Sequence, residues 1–285
     1  MGCYAEGDDI AKSTTGRAKV ERIPTGVEGF DSLVEGGLRK GSNVLVTGTP
    51  GTGKTIFALD YLYKGTQRGE NGLYISIDSS SEQLKMQGLR FNWDLEGAEK
   101  SGKLFFLKVP LKKVKFDLFD VIGKIKKEIN AERVVLDNLT TFTINAGFFE
   151  IGLEKEDRSK SSSTPFDTDR ISGGSSETDT AGEGAYFNNS EKHTAYMIVE
   201  KFAELGTTNL IITYGSKNAA NLTLDGVSEF SCDGIISLHN ELIGNKRMRT
   251  LEVVKMRATA HSPYLHDFEF GKNGIVVKPA EPVYK

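Results

Sequence analysis

Cysteine is scarce in this sequence. There are two among 285 residues, Cys3 and Cys232. That pair supports neither a disulfide framework nor a cysteine metal site, so a reducing compartment is the default expectation. Histidine is sparse as well, and His193, His239, His261 and His266 fall in no metal-ligand spacing. Long apolar runs are missing, and no stretch approaches the ~20 residues of a membrane span. Asp8 and Asp9 stand where a secretion signal carries its apolar segment. Glu6 stands where a myristoylation signal has Ser or Thr. A cytoplasmic chain with no membrane partner is the expectation. Charge of one sign is not in excess either, with 36 Lys and Arg against 39 Asp and Glu. Bulk charge therefore does not direct the chain to nucleic acid or to a lipid surface.

What is present has a regular order. Residues 1–18 are small and polar and read as a flexible tail. Residues 19–285 read as one domain. Val44 to Thr47 is a short, β-branched, buried-strand pattern. Phe57, Ala58, Tyr61 and Leu62 follow at helical spacing, predicting a helix over Thr55 to Arg68. Strands are predicted over Leu73 to Ile77, Arg133 to Leu136 and Asn209 to Tyr214. Helical stripes lie at Leu118, Val121, Ile122, Ile125 and Ile129, and at Tyr196, Val199, Phe202, Ala203 and Leu205. Strands alternating with amphipathic helices predict an α/β fold whose mainly parallel sheet is flanked by helices. The end of the chain differs. Arg249 to Met256, Tyr264 to Phe270 and Ile275 to Lys278 read as strands with no helix between them, and Asn273-Gly274 as a hairpin turn. An antiparallel C-terminal edge is expected. About residues 149–190 the composition turns to Ser, Thr, Gly and Asp, which predicts a polar, acidic, disordered insertion.

Gly48, Thr49, Pro50, Gly51, Thr52, Gly53, Lys54 and Thr55 fit the pattern GxxxxGK followed by Ser or Thr at every fixed position. The glycines let the backbone curl so that its N–H groups face phosphate oxygens. The helix that follows, from Ile56 onward, adds its positive dipole end. Lys54 is placed to reach the β- and γ-phosphates and Thr55 to ligate Mg²⁺. A chance glycine-rich turn has no reason to sit between a strand and a helix, so ATP with Mg²⁺ is the expected ligand. Asp137 ends the apolar run Arg133-Val134-Val135-Leu136. A solvated Asp at a strand end is common, but with a phosphate loop upstream Asp137 is assigned to the Mg²⁺ shell opposite Thr55. Asp78 ends Leu73 to Ile77. If that strand neighbours the phosphate-loop strand, Asp78 can orient or deprotonate the attacking water. The competing role is a cap for the helix that starts near Ser81 and Glu82.

These features carry a resemblance. Glu28-Gly29-Phe30-Asp31, Gly36-Gly37-Leu38 and the phosphate loop resemble the KaiC family, a branch of the RecA superfamily of ATPases. So do Phe91-Asn92-Trp93-Asp94-Leu95, Gly102-Lys103-Leu104, Val227-Ser228-Glu229-Phe230 and Lys255-Met256-Arg257-Ala258-Thr259-Ala260-His261. The match runs over about residues 20–280 outside the insertion, and the chain looks like a single-domain archaeal member. The resemblance implies a RecA-like P-loop fold and a homo-oligomer, a hexameric ring with ATP between subunits. It also implies a Lys and an Arg reaching a neighbour's γ-phosphate, matched here by Lys255 and Arg257. Three departures follow. The family's two adjacent glutamates are Asp78 and Ser79 here, and a reach shortened by ~1 Å can cost 10²-fold, so slow hydrolysis is expected. The clock protein's phosphorylated Ser-Thr pair matches Glu229 and Phe230, which lack a hydroxyl. The insertion is foreign to the family core.

Three functions compete. A slow ATPase acting on or signalling to a protein partner ranks first. A recombination or repair ATPase of the RadA or RecA type is second, with the insertion as its DNA loop. Glu150, Glu154, Glu156, Asp157, Asp167, Asp169, Glu177, Asp179 and Glu183 outnumber Lys155, Arg158, Lys160 and Arg170 there, so DNA is disfavoured. An ATP-gated scaffold without turnover is third. Trp93 is assigned to the core rather than to base stacking, and Lys112, Lys113 and Lys115 to a solvated face.

Overall fold

In chain order the elements are β1 (Arg22–Ile23), a 3-10 turn (Asp31–Val34), β2 (Leu38–Arg39), β3 (Asn43–Thr47), α1 (Lys54–Gln67), β4 (Asn71–Ser76), α2 (Ser81–Leu89) and α3 (Leu95–Lys100). Then come β5 (Leu104–Lys108), α4 (Leu118–Glu128), β6 (Ala131–Asp137), α5 (Leu139–Ile144), α6 (Asn189–Glu204), β7 (Thr208–Ile212) and α7 (Ser228–Ser231). The chain closes with β8 (Gly234–Ile243), β9 (Lys246–Met256), β10 (His266–Gly271) and β11 (Gly274–Val277). The computed structural model describes residues 20–110, 117–146, 187–216 and 222–280. The expected tail, the Lys112–Lys115 cluster and the expected insertion, apart from residues 187–190, lie outside these.

Every residue of β3 and β7 is buried, as are nearly all those of β4 and β6. Strands buried on both faces need helices over each face. One nine-stranded sheet results, in the order β11-β10-β9-β8-β3-β7-β6-β4-β5. From β8 to β5 the pairs are parallel, whereas β9, β10 and β11 add antiparallel. This is the expected α/β fold with its antiparallel edge. Side chains alternate between faces. Val44, Val46 and Tyr74 pack under Phe57, Ala58 and Leu62 of α1. Leu45, Leu73, Ile75 and Leu136 pack under Ile122 of α4 and Ile198, Val199 and Phe202 of α6. Trp93 is core, as expected: it stacks on Phe91 with ring centroids 4.8 Å apart and donates to the Asn273 carbonyl.

Some boundaries move. α6 begins at Asn189, inside the expected insertion, because Asn188 and Glu191 form a capping box. The strand expected to reach Tyr214 ends at Ile212, and the one expected from Tyr264 starts at His266. β5 and β8 were not legible as strands. β8 is buried only through Leu238 and exposed at its far end, so it shows neither a continuous apolar run nor clean alternation.

At the start of β6, Arg133 is fully buried. It pairs with Glu70, donates to the carbonyls of Tyr61 (2.7 Å) and Pro24 (2.8 Å), and lies over the Tyr61 ring. One guanidinium thus ties α1 and the segment after β1 to the centre of the sheet.

Candidate functional site

The carboxyl ends of β3, β7, β6 and β4 share one edge of the sheet, and the phosphate loop, Asp137 and Asp78 gather there. Gly48 to Gly53 join β3 to α1. Gly51 and Gly53 sit at φ 82° and 108°, in the left-handed region that favours glycine. A Cβ on Gly53 would lie 2.9 Å from the Phe270 ring, so close packing demands glycine there as well. Thr52 is buried and its hydroxyl donates to the Thr49 carbonyl, bracing the loop across exposed Pro50 and Gly51. Gly53 caps α1 with no side chain, so side chains leave the first-turn N–H groups open to an anion.

Lys54 is buried. Its ammonium donates to the carbonyls of Gly48 (2.6 Å) and Thr49 (2.9 Å) and lies 5.2 Å from the centroid of the Tyr214 ring. Burial lowers its pKa to about 8, against the opposing pull of Asp137. The Thr55 hydroxyl donates to Asp137 at 2.9 Å, and the Tyr74 hydroxyl donates to the same carboxylate oxygen at 2.5 Å. Burial pushes the Asp137 carboxyl above its ordinary range, and neighbouring Asp78 adds to the push.

The condition set for Asp78, that β4 neighbour the phosphate-loop strand, is not met. β7 and β6 stand between β3 and β4. Asp78 still joins the site, because β4 pairs with β6 and Ser76 sits opposite Asp137. Its carboxylate accepts from Asn138 (2.8 Å) and Thr141 (3.1 Å). It is not a helix cap. Ser80 caps α2 in a box with Gln83. A cavity of about 600 Å³ opens beside Asp78, with Ile56, Gln83, Arg90, Phe91 and Phe270 among its walls.

Lys255 and Arg257 lie elsewhere. Lys255 donates to the carbonyls of Cys232 (2.7 Å) and Glu229 (3.1 Å), and Arg257 to that of Phe230 (3.1 Å). Both thus meet at the carbonyl end of α7. The Arg257 amide donates to Asp233, whose own amide donates to Asn43 at the start of β3. The phosphate loop follows Thr47, about 13 Å further along the strand at ~3.3 Å per residue. The two sets of residues occupy opposite ends of the sheet.

Tyr74, Asn138 and Tyr214 belong to the site and were not singled out from the sequence. Tyr74 carries one signal, two residues before Ser76 on the same face of β4. Asn138 and Tyr214 follow strand ends and carry no motif. Among the described residues no cluster of three or more His, Cys, Asp or Glu forms a metal site. No helix among them is long and apolar enough to cross a membrane.

A family model described as "ATPase: KaiC" matches residues 23–147 and 188–282. The circadian clock oscillator protein KaiC of Prochlorococcus marinus is 30% identical over 279 residues, which cover 94% of this chain and 47% of that protein. The chain spans about half the length of the clock proteins that it matches. A UPF0273 protein of Thermotoga maritima is 29% identical over 278 residues, 92% of this chain and 98% of that one. Among solved structures, the KaiC-like protein PH0186 of the archaeon Pyrococcus horikoshii superposes with a TM-score of 0.68 at 29% identity. That match covers 92% of this chain and 100% of the other.

Proposed function

This chain belongs to the KaiC family of ATPases, and on that premise we propose that it is a slow, Mg²⁺-dependent ATPase. Its working form is a homo-oligomeric ring, hexameric in the simplest case, that acts on or signals to a protein partner. Residues 19–285 serve as one ATPase domain. The observation that carries the ring is the separation of Lys255 and Arg257 from the chain's own Lys54, Thr55 and Asp137. Because one copy cannot bring both sets to one phosphate, ATP lies between copies.

Each residue has a role on this reading. Residues 49–56 cradle the phosphates, and Lys54 leaves the Gly48 and Thr49 carbonyls for the β- and γ-oxygens. The cavity beside Ile56 takes the nucleoside. Thr55 and Asp137 offer the hard oxygen donors that suit Mg²⁺. Burial and the neighbouring Asp78 carboxylate both disfavour the charged form of Asp137, with Lys54 opposing them, and a divalent cation would offset that cost. When bound, the ion neutralises charge on the β- and γ-phosphates. Asp78 orients the attacking water, but one of its oxygens already serves Asn138 and Thr141. That engagement weakens it as a base and supports slow turnover. Lys255 and Arg257 stabilise transition-state charge on the neighbour's γ-phosphate.

Phosphate release in mixed assemblies tests this reading. Lys54→Ala and Arg257→Ala are each expected to be inactive alone. Mixed together they should regain activity, because some junctions pair an intact phosphate loop with an intact Arg257. Activity of Arg257→Ala alone at the wild-type rate would sink the shared site.

A further inference from the structure

Asp60 stands on α1, the helix that begins at the phosphate loop, and the β10–β11 hairpin lies directly on it. The Ile275 amide donates to one oxygen of its carboxyl at 2.9 Å. Gly274 packs so closely that a Cβ there would overlap the same oxygen. The other oxygen is buried and has no hydrogen-bond partner among the described residues. Two charged side chains face the carboxyl. Lys64, one turn on along α1, favours the carboxylate, and Glu28, whose segment runs beside β11, opposes it. Gly274 and Ile275 bring no charge. A buried carboxylate with one amide for a partner is costly, whereas the neutral acid is not. Burial accordingly pushes this carboxyl up to about 7.

The same hairpin is a wall of the nucleotide site. Ile275 pairs across it with Phe270. The Phe270 ring lines the cavity beside Ile56 and Asp78, and it packs on Gly53, where a Cβ would lie 2.9 Å from it. At the turn, the Asn273 carbonyl accepts from the Trp93 indole at 3.1 Å. Trp93 is the only tryptophan in the sequence. It is buried under the turn, so its exposure reports whether the hairpin is seated.

We propose that Asp60 is a proton-dependent latch: as the neutral acid it seats the β10–β11 hairpin on α1 and keeps Phe270 in place at the nucleotide site, and loss of the proton loosens that seat. The part that concerns nucleotide rests on the ATPase reading above. The seated hairpin holds the proton up to about pH 7, whereas a carboxyl released to water loses it near pH 3.8. Seating is therefore strongest in acid, weakens as pH rises towards 7 and is constant above.

The experiment follows acrylamide quenching of Trp93 and the affinity for a fluorescent ATP analogue from pH 5 to pH 8, in full-length wild type and Asp60→Asn. Ionisation of the nucleotide and of Lys54 is common to both proteins and cancels in their ratio. Quenching of wild type should rise about twofold between pH 5 and pH 7 and then level off. Its affinity, divided by that of Asp60→Asn, should fall three- to tenfold over the same interval. Asp60→Asn, which cannot ionise, should show flat quenching. Wild type and Asp60→Asn following the same pH course in both measurements overturns the latch. If wild type quenches as expected while the affinity ratio stays flat, the link from hairpin to nucleotide site is overturned. If wild type binds no nucleotide at any pH, the ATPase reading fails instead, and Trp93 quenching alone decides the latch. Lys64→Met keeps the test open should Asp60→Asn not fold. Removing that charge favours the neutral acid, so the rise in quenching should move to higher pH, and an unmoved rise overturns the proposal.

Discussion

The two ends of β6 each bury a charge, and the two charges are treated in opposite ways. Arg133, at the start, is enclosed by Glu70, the carbonyls of Pro24 and Tyr61 and the face of the Tyr61 ring. Asp137, at the other end, accepts two hydroxyls and has a second carboxylate for a neighbour. The guanidinium closes its surroundings and leaves nothing for a ligand. The carboxylate is held in place yet short of positive charge, and burial raises its pKa. A buried charge that is fully partnered acts as a structural tie, whereas one oriented but left uncompensated is poised for a cation.

The largest test of that contrast is Arg133→Met. It leaves Glu70 and several carbonyls without their partner, and breaking a buried pair from one side costs about 3–5 kcal/mol. Denaturant unfolding should show that loss, with much of it recovered when Glu70→Leu is added. Asp137→Asn probes the other end. Removing one preorganised polar group costs about 10²–10³ in turnover. The amide oxygen still accepts from Thr55 and Tyr74 and escapes the cost of burying charge, so the melting temperature should hold or rise. A melting temperature that falls as far as that of Arg133→Met would erase the contrast.

Asp60 lies between these cases. It is buried on α1, accepts from the Ile275 amide at 2.9 Å, and its other oxygen has no hydrogen-bond partner among the described residues. Burial raises its pKa from 3.8 to about 7. The folded state thus holds its proton where the unfolded state has lost it. Its contribution to stability is fully present below pH 3.8, declines as pH rises towards 7, and is constant above. The change is on the order of 2–4 kcal/mol. Urea unfolding from pH 4 to 8 should show that slope in wild type and a flatter one in Asp60→Asn. The smallest effect is expected for Ser80→Ala, about 1 kcal/mol from the lost α2 cap. Its rate of phosphate release should stay within a few-fold of wild type, since Ser80 rather than Asp78 is the cap.

Much of this molecule follows from short stretches of sequence. The phosphate loop is eight consecutive residues whose backbone conformation depends on its own glycines. The central parallel strands β3, β4, β6 and β7 are legible because burial on both faces makes them mostly apolar, and the antiparallel edge because Asn273-Gly274 joins two patterned runs. Asp137 is legible as a carboxylate closing such a run. Other features depend on residues far apart in the chain. β8 is a strand because β3 and β9 flank it, although half its length faces solvent. Asp78 reaches the site by pairing of β4 with β6 rather than with β3. Arg133 opens an apolar run as any solvated residue might be written, and only the approach of Glu70, Pro24 and Tyr61 makes it a buried tie. Tyr214 has no pattern at all, and its meeting with Lys54 exists because β7 lies beside β3. Local sequence fixes backbone shape through sterics and hydrophobic period, which act over a few residues. Which charge meets which partner depends on strand order and burial, and only the assembled sheet decides that.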